Sequence, residues 1–176
     1  GDLDCSVIRE LPPGRGKVRT YIRTPDRWPK ILAFIKEKLS EGRQAFIVVP
    51  RVDNEDATIG IKAVNTEAQR LKDNFAPYKI GAVHGRMKPD EKENVMADFR
   101  SNRIQVLLST TVVEVGVDIP NASLMLIQNA EQFGLAQLHQ LRGRIGRDEH
   151  DGHCILLTSE NSPEVISRLT VLKETN

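Results

Sequence analysis

Ala45-Phe46-Ile47-Val48-Val49-Pro50 is a solid apolar run stopped by a proline. A half-exposed strand alternates apolar and polar residues. An unbroken run reads as a strand buried on both faces, the habit of parallel sheets. On its amino-terminal side Trp28, Ile31, Leu32, Ile35 and Leu39 recur at helical spacing, with Thr24-Pro25-Asp26 as the start signal and Gly42 as the stop. Further upstream, Val18, Thr20 and Ile22 alternate with polar residues in a strand over 17–23. Downstream the rhythm repeats. The pattern predicts a helix over 64–74, a strand over 79–83, and a helix over 89–100 with Val95, Met96 and Phe99 inward. Strands over 105–109 and 124–127 follow, then a helix over 135–145, a strand over 154–158 and a last helix opened by Ser162-Pro163-Glu164. Val165, Leu169 and Leu172 share one face of that helix. The stretch 51–60 reads as a polar, acidic loop. Alternating strands and helices with apolar strands predict an α/β fold: a mainly parallel central sheet covered on both faces, with ligands beyond the carboxyl ends of the strands.

The chain has 176 residues, 39% of them apolar, enough for one domain with a real core. Leu11-Pro12-Pro13-Gly14-Arg15-Gly16 fits neither helix nor central strand, so 1–16 is expected to be a linker and 17–176 the domain. The balance of 25 Lys and Arg against 24 Asp and Glu gives a net charge of +1, so any nucleic-acid surface must be a local patch. Two distant cysteines, Cys5 and Cys154, make neither a disulfide framework nor a zinc spacing, and they suit a reducing intracellular setting. Cys154, in an apolar run, reads as core. No apolar run approaches membrane-spanning length, and Gly1-Asp2-Leu3-Asp4 resembles no signal or transit peptide. The chain lacks an initiator Met, as an excised fragment would.

Three segments after strand ends carry unusual residues. In the first, His84-Gly85-Arg86-Met87-Lys88-Pro89, a glycine admits close approach, two cations add charge, and the following helix offers free amides to an anion. A plain turn with a surface arginine fits the same residues. The second runs from Ser109 through Thr110, Thr111 and Gly116 to Asp118-Ile119-Pro120. Its hydroxyls suit phosphate contacts, and Asp118, between two apolar residues, needs a hydrogen-bond partner such as a ribose hydroxyl. Loop capping by the same residues fits as well. The third is Gln140-Leu141-Arg142-Gly143-Arg144-Ile145-Gly146-Arg147. A helix-interior glycine costs about 1 kcal/mol relative to Ala. Two of them suggest close approach, and alternating arginines suit phosphate, including charge on a transferring phosphoryl group. Dipole complementation at a helix end accounts for the charge but not for the glycines.

Several look-alikes fail. Gly14-Arg15-Gly16-Lys17-Val18 lacks the first glycine and the Ser or Thr of a P-loop. Asp148-Glu149-His150-Asp151 follows Arg147 rather than an apolar strand, and reads as a solvated loop. His150, His153 and Cys154 are too close together for a metal site, so no metal ligand is expected in this chain. No GxGxxG, HExxH or GxSxG occurs.

Taken in order, these segments resemble the second-lobe motifs of superfamily 2 helicases. Phe46 to Pro50 with Arg51 is similar to motif IV, His84-Gly85 to the following His-Gly loop, Ser109 to Pro120 to motif V, and Gln140 to Arg147 to motif VI. The similarity is greater to the RecG branched-DNA helicase family. It is carried by Gly1-Asp2-Leu3-Asp4, Glu10-Leu11-Pro12-Pro13-Gly14-Arg15, His84-Gly85-Arg86-Met87-Lys88-Pro89, Glu114 to Ser123 and Phe133 to Arg144. The translocase Mfd is similar over Phe133 to Arg147 but fits less well at His84 to Lys88 and at Asn121-Ala122-Ser123.

The resemblance implies a RecA-like three-layer α/β/α domain, the helicase C-terminal lobe. It implies ATP-dependent work on branched DNA at stalled forks and Holliday junctions, in DNA repair and recombination, within the bacterial cytoplasm at the nucleoid. It assigns Arg144 and Arg147 as arginine fingers and Gln140 as the coupling residue. Gly116 and Asp118 become nucleotide contacts, and Thr110, Thr111, His84, Gly85, Arg86 and Arg51 become DNA contacts. Arg142 could serve either surface. ATP and Mg²⁺ would be held mainly by a first lobe preceding Gly1, with a wedge domain further upstream, so this chain alone is expected not to hydrolyse ATP. The alternatives are an Mfd-like double-stranded DNA translocase lobe and a non-catalytic nucleic-acid-binding module of the same fold.

Overall fold

The computed structural model describes residues 17–50, 57–110, 119–146, 151–159 and 162–174; the expected linker, 1–16, lies outside them. The elements run β1 (Val18–Arg23), a 3-10 turn (Pro25–Arg27), α1 (Trp28–Ser40), β2 (Gln44–Val48), α2 (Ala57–Phe75), β3 (Ile80–Val83), α3 (Pro89–Arg100), β4 (Val106–Ser109), β5 (Ala122–Ile127), a 3-10 turn (Ala130–Gln132), α4 (Leu135–Arg142), β6 (Gly152–Leu157) and α5 (Pro163–Glu174). The strands form one sheet in the order β1-β6-β5-β2-β4-β3, and every pairing is parallel.

Side chains along β2 alternate between two cores, which fixes the layers. Phe46 and Val48 join Met96 and Phe99 of α3, Leu138 and Leu141 of α4, and Leu169 and Leu172 of α5. Ala45 and Ile47 join Ile31, Ile35 and Leu39 of α1 with Val64, Leu71 and Phe75 of α2. Among the described residues two helices therefore cover one face and three the other, the arrangement expected of a RecA-like lobe. All five β2 residues are buried, as the apolar run demands. In α1 the buried stripe repeats every four residues; each such side chain stabilises by about 1.5–3 kcal/mol on burial.

Local signals hold with adjustments. Thr24 precedes Pro25, but the first turn is 3-10 rather than α, and the Thr24 hydroxyl turns to Asp26 instead of capping a backbone amide. Gly42 closes α1 at φ +90, a conformation that favours glycine. Helix α2 begins at Ala57, well inside the stretch read as a loop; of that loop, 51–56 lies outside the described residues. Helix α4 ends at Arg142 rather than at Ile145. One ladder is irregular: β2–β5 register steps from Gln44–Ala122 to Ala45–Leu124, so Ser123 faces no β2 residue and its side chain is free to be aimed elsewhere.

Candidate nucleotide and nucleic-acid faces

The loop after β3 and the loop after β4 leave the sheet side by side. Val83 and Ser109 are register partners at the carboxyl ends of adjacent strands, so His84 and Thr110 follow as neighbours on one edge. Thr110 and His84 are half-buried, while Gly85 and Arg86 are exposed. The turn is tied internally: the Met87 amide donates to the His84 carbonyl at 3.2 Å, and the Arg86 amide to His84 Nδ1 at 3.2 Å. Glu91 Oε1 accepts from the Lys88 amide at 3.1 Å, so this helix start spends one donor on its own carboxylate. A β-carbon on Gly85 would meet nothing within 4 Å. Among the described residues that glycine meets no packing need, and its backbone is exposed.

The motif VI residues lie elsewhere. Helix α4 runs back from the carboxyl edge and delivers its last turn to the amino end of β5, where the Gly146 amide donates to Ala122 O at 2.7 Å. The expectation that ligands sit beyond the carboxyl ends therefore covers His84 and Thr110 but not this turn. Gln140 and Arg144 are exposed. Arg144 is held at both sides: its amide donates to Leu141 O at 2.9 Å, and the next residue, Ile145, is buried in the core at 4% exposure. The exposed arginine thus projects from a turn that cannot easily shift.

The two glycines of this stretch differ. Gly143 caps α4 in ordinary helical conformation, and a β-carbon there would sit at van der Waals distance, 3.4 Å from Gln140 O and 3.5 Å from His139 O. Gly146 is wedged backbone to backbone; a β-carbon would lie 2.6 Å from the Pro120 carbonyl carbon and closer still to the carbonyl oxygens of Ile119 and Pro120. Close approach is real at Gly146, but what approaches is the chain itself.

Arg142 turns inward rather than onto either surface. It follows Leu138 by four positions and joins Leu138 and Leu141 on the buried side of α4, at 9% exposure. Its Nη1 donates to Leu172 O at 2.5 Å and to Thr20 Oγ1 at 3.4 Å, fastening α5 and β1 to α4. Cys154, fully buried, has its thiol pushed up to about 12 by burial, which the nearby Arg142 charge only partly opposes.

A polar network at the amino edge escaped the sequence reading. Arg43, 9% exposed, donates from Nε to Ser123 Oγ at 3.1 Å and from Nη2 to Pro120 O at 3.4 Å. Gln44, 1% exposed, donates from Nε2 to Ile104 O at 2.9 Å and Phe99 O at 2.5 Å, and accepts from Asn121 Nδ2 at 2.9 Å. Asn121 Nδ2 also donates to Gly42 O at 2.9 Å, and the Gln44 amide donates to Asn121 O at 3.0 Å. The available signal was a polar Arg43-Gln44 pair opening an otherwise apolar strand, opposite another polar opening, Asn121-Ala122-Ser123.

Other polar clusters are structural. Asp151, read above as part of a solvated loop, accepts from the Lys17 amide at 3.1 Å and from Arg19 Nε at 3.0 Å and anchors the start of β1. At the carboxyl edge a cleft of about 390 Å³ lies between Trp28, Glu67, Arg70 and Gln128. Its polar groups satisfy one another: Arg70 forks onto Glu67 at 2.9 and 2.8 Å, and Gln128 donates to Glu67 at 2.7 Å. The Arg70 hydrogen bonds hold the Glu67 carboxyl below its usual range, with help from Gln128 and against burial. Among the described residues no group of three or more His, Cys, Asp or Glu gathers in the manner of metal ligands, and no helix is long and apolar enough to cross a membrane. Arg51, Thr111, Gly116, Asp118, Arg147, Cys5 and His150 lie outside the described residues.

The family model described as helicase conserved C-terminal domain matches residues 26–149. The ATP-dependent DNA helicase RecG of Bacillus subtilis is 44% identical over 177 residues, covering 100% of this chain and 26% of that protein. RecG of Thermotoga maritima is 43% identical over 169 residues, covering 96% of this chain and 22% of that protein. The chain thus spans about a quarter of the length of the curated relatives it matches. A solved structure of RecG bound to a three-way DNA junction superposes with a TM-score of 0.77 at 39% identity, over 95% of this chain and 21% of that one. The Escherichia coli DEAD-box protein SrmB, solved with regulator of ribonuclease activity A, shares the fold at a TM-score of 0.60 and 20% identity, over 89% of this chain and 85% of its own.

Proposed function

The chain belongs to the helicase conserved C-terminal domain family, in its RecG form, and on that premise we propose that residues 17–176 are the second motor lobe of an ATP-dependent branched-DNA helicase, with 1–16 as the linker from a first lobe. One observation carries the reading: the stretch read as motif V leaves the sheet at Ser109 on the carboxyl edge, beside Val83 and the His84 loop, and ends at Ile119–Pro120 against the Gly146 turn on the amino edge. A DNA-facing edge and a nucleotide-facing edge are thereby joined by one short stretch of chain.

In this reading Arg144 and Arg147 reach the γ-phosphate from across an interlobe cleft, and Gln140 couples the phosphates to the first lobe. Gly116 and Asp118 contact the nucleotide. A guanidinium suits the task because it stays charged and its planar fork matches phosphate oxygens. The exposed, pinned Arg144 fits such a group, since a donor fixed before charge develops need not reorganise when it does. The ATP-bound Mg²⁺, held mainly by the first lobe, neutralises phosphate charge. Thr110, Thr111, His84, Gly85, Arg86 and Arg51 grip the DNA backbone. Closing the lobes on ATP and reopening them after hydrolysis moves the grip along the strand. The contacts go to phosphates, so binding is sequence-independent and weakens with salt. Fork and Holliday-junction remodelling in repair and recombination, in the bacterial cytoplasm at the nucleoid, belongs to the same reading, as does inactivity of this lobe without the P-loop and Mg²⁺-binding acid of a first lobe.

The test is ATP hydrolysis by a RecG-type protein carrying this lobe, with and without Arg144→Ala, on forked, linear duplex and single-stranded DNA. Fork stimulation lost in the variant supports the assignment. Equal stimulation by linear duplex points to an Mfd-like translocase, and hydrolysis untouched by the substitution overturns the role of Arg144.

A further inference from the structure

We propose that Arg43 is a positioning residue for ATP hydrolysis: its buried guanidinium fixes the Pro120 carbonyl on which Gly146 rests, and so holds Arg144 at its working position. The inference rests on the reading of Arg144 as a phosphate contact.

Each link is a direct contact. Arg144 is two residues from Gly146, and the turn between them is fixed by Ile145 in the core. Gly146 sits against the carbonyls of Ile119 and Pro120 with no room for a methyl group, so any movement of those carbonyls moves the turn. Pro120 O accepts from Arg43 Nη2 at 3.4 Å, and Ser123 Oγ, three residues on, accepts from Arg43 Nε at 3.1 Å. The register step opposite Ser123 is what frees that hydroxyl to meet the guanidinium. One side chain therefore holds both ends of the segment that seats the motif VI turn. In sequence the same segment follows Asp118, the other residue assigned to the nucleotide.

The energetics argue that the cation does more than fill space. Burying a charge is expensive, and apolar side chains of similar size commonly replace buried ionic groups with little loss of stability. Beneath this turn, methionine would fill much of the volume but leave the Pro120 carbonyl and the Ser123 hydroxyl without their donor. The chain would fold, and the seat of Arg144 would loosen. Small misplacement of a transition-state contact is costly in rate, whereas ground-state ATP affinity is set largely by other groups.

The experiment compares Arg43→Met, Arg43→Lys, Ser123→Ala and Arg144→Ala in a RecG-type protein carrying this lobe, at saturating branched DNA, with thermal melting of each variant. Arg43→Met is expected to lower kcat roughly tenfold with KM for ATP changed by less than about twofold. Arg43→Lys, which keeps a charged donor, recovers most of that loss, a rescue that lost packing would not give. Should Arg43→Met fail to fold, Ser123→Ala removes one acceptor, and a kcat lowered about two- to threefold in a variant that melts well above the assay temperature supports the proposal. Arg43→Met with kcat within twofold of the parent, while Arg144→Ala abolishes hydrolysis, overturns the role of Arg43 alone. So does a loss that Arg43→Lys fails to restore, and so does a silent Ser123→Ala where Arg43→Met does not fold. Arg144→Ala with undiminished kcat overturns the reading of Arg144 and this inference with it.

Discussion

Gly146 and Pro120 meet backbone to backbone, with the Gly146 amide bonded to Ala122 O at 2.7 Å and no space for a β-carbon. The end of the stretch read as motif V, Ile119–Pro120, and the Gly146 turn of motif VI are thus packed directly on each other.

That contact separates the two glycines of motif VI by experiment. Gly146→Ala is expected to destabilise the lobe by about 1–3 kcal/mol, because backbone rather than a flexible side chain must move. Gly143→Ala should stay within about 1 kcal/mol of the parent, since its β-carbon finds ordinary contacts in a helical conformation. Urea unfolding of the two variants checks the contrast, and equal effects would refute it.

Arg142 offers a second contrast. Arg142→Ala should cost about 2–3 kcal/mol, through the hydrogen bonds lost to Leu172 and Thr20. Arg142→Met should recover much of that, because an apolar side chain of similar volume carries no buried charge. Hydrogen exchange of α5 amides in Arg142→Ala should quicken selectively, since the lost anchor is at Leu172.

Acid should weaken the β1–β6 margin through His153. Its ring nitrogen Nδ1 meets Tyr21 OH at 3.1 Å, and Phe34 packs edge-on against it at 5.1 Å. Burial, then the charge of Lys38, lowers its pKa, with Asp151 opposing and Arg19 assisting. A base whose folded pKa is depressed contributes stability that is complete above its unfolded value, about 6.5, and is lost as pH falls through the lower folded value. The melting temperature should therefore drop below pH 6.5 more steeply in the parent than in His153→Phe; identical profiles would exclude the histidine as the cause.

Cys154 should resist alkylation. With its thiol pushed up to about 12, almost no thiolate exists at pH 8, and the side chain is fully buried. Peptide mapping after iodoacetamide should show Cys154 labelling accelerated more than roughly 100-fold on unfolding in urea.

Much of this architecture was legible from composition along the chain. The run Ala45 to Val49 announced a buried strand because both its faces meet helices. Strand order was not legible, since local patterning says that strands are parallel but not which is beside which. Helix α2 was clipped at its start because Asp53, Glu55 and Asp56 gave the stretch the polarity of a loop. Arg142 was misread because arginine in a basic motif suggests a phosphate partner, although its spacing from Leu138 already placed it on the inward side of the helix. Arg43, Gln44 and Asn121 were missed because their role exists only where two strand openings, 77 positions apart, come together.

The place of β1 bears on how the protein is made. Its neighbour in the sheet is β6, and the bond that closes their starting ends joins Lys17 to Asp151, 134 positions later. As the chain leaves the ribosome, β1, the earliest of the described strands, must wait for this partner until β6 has been synthesised. Closing so long a loop adds little to the equilibrium cost but slows the search. The long wait of this strand for its partner is an interval in which the lobe is open to mispairing with its neighbours on the polysome.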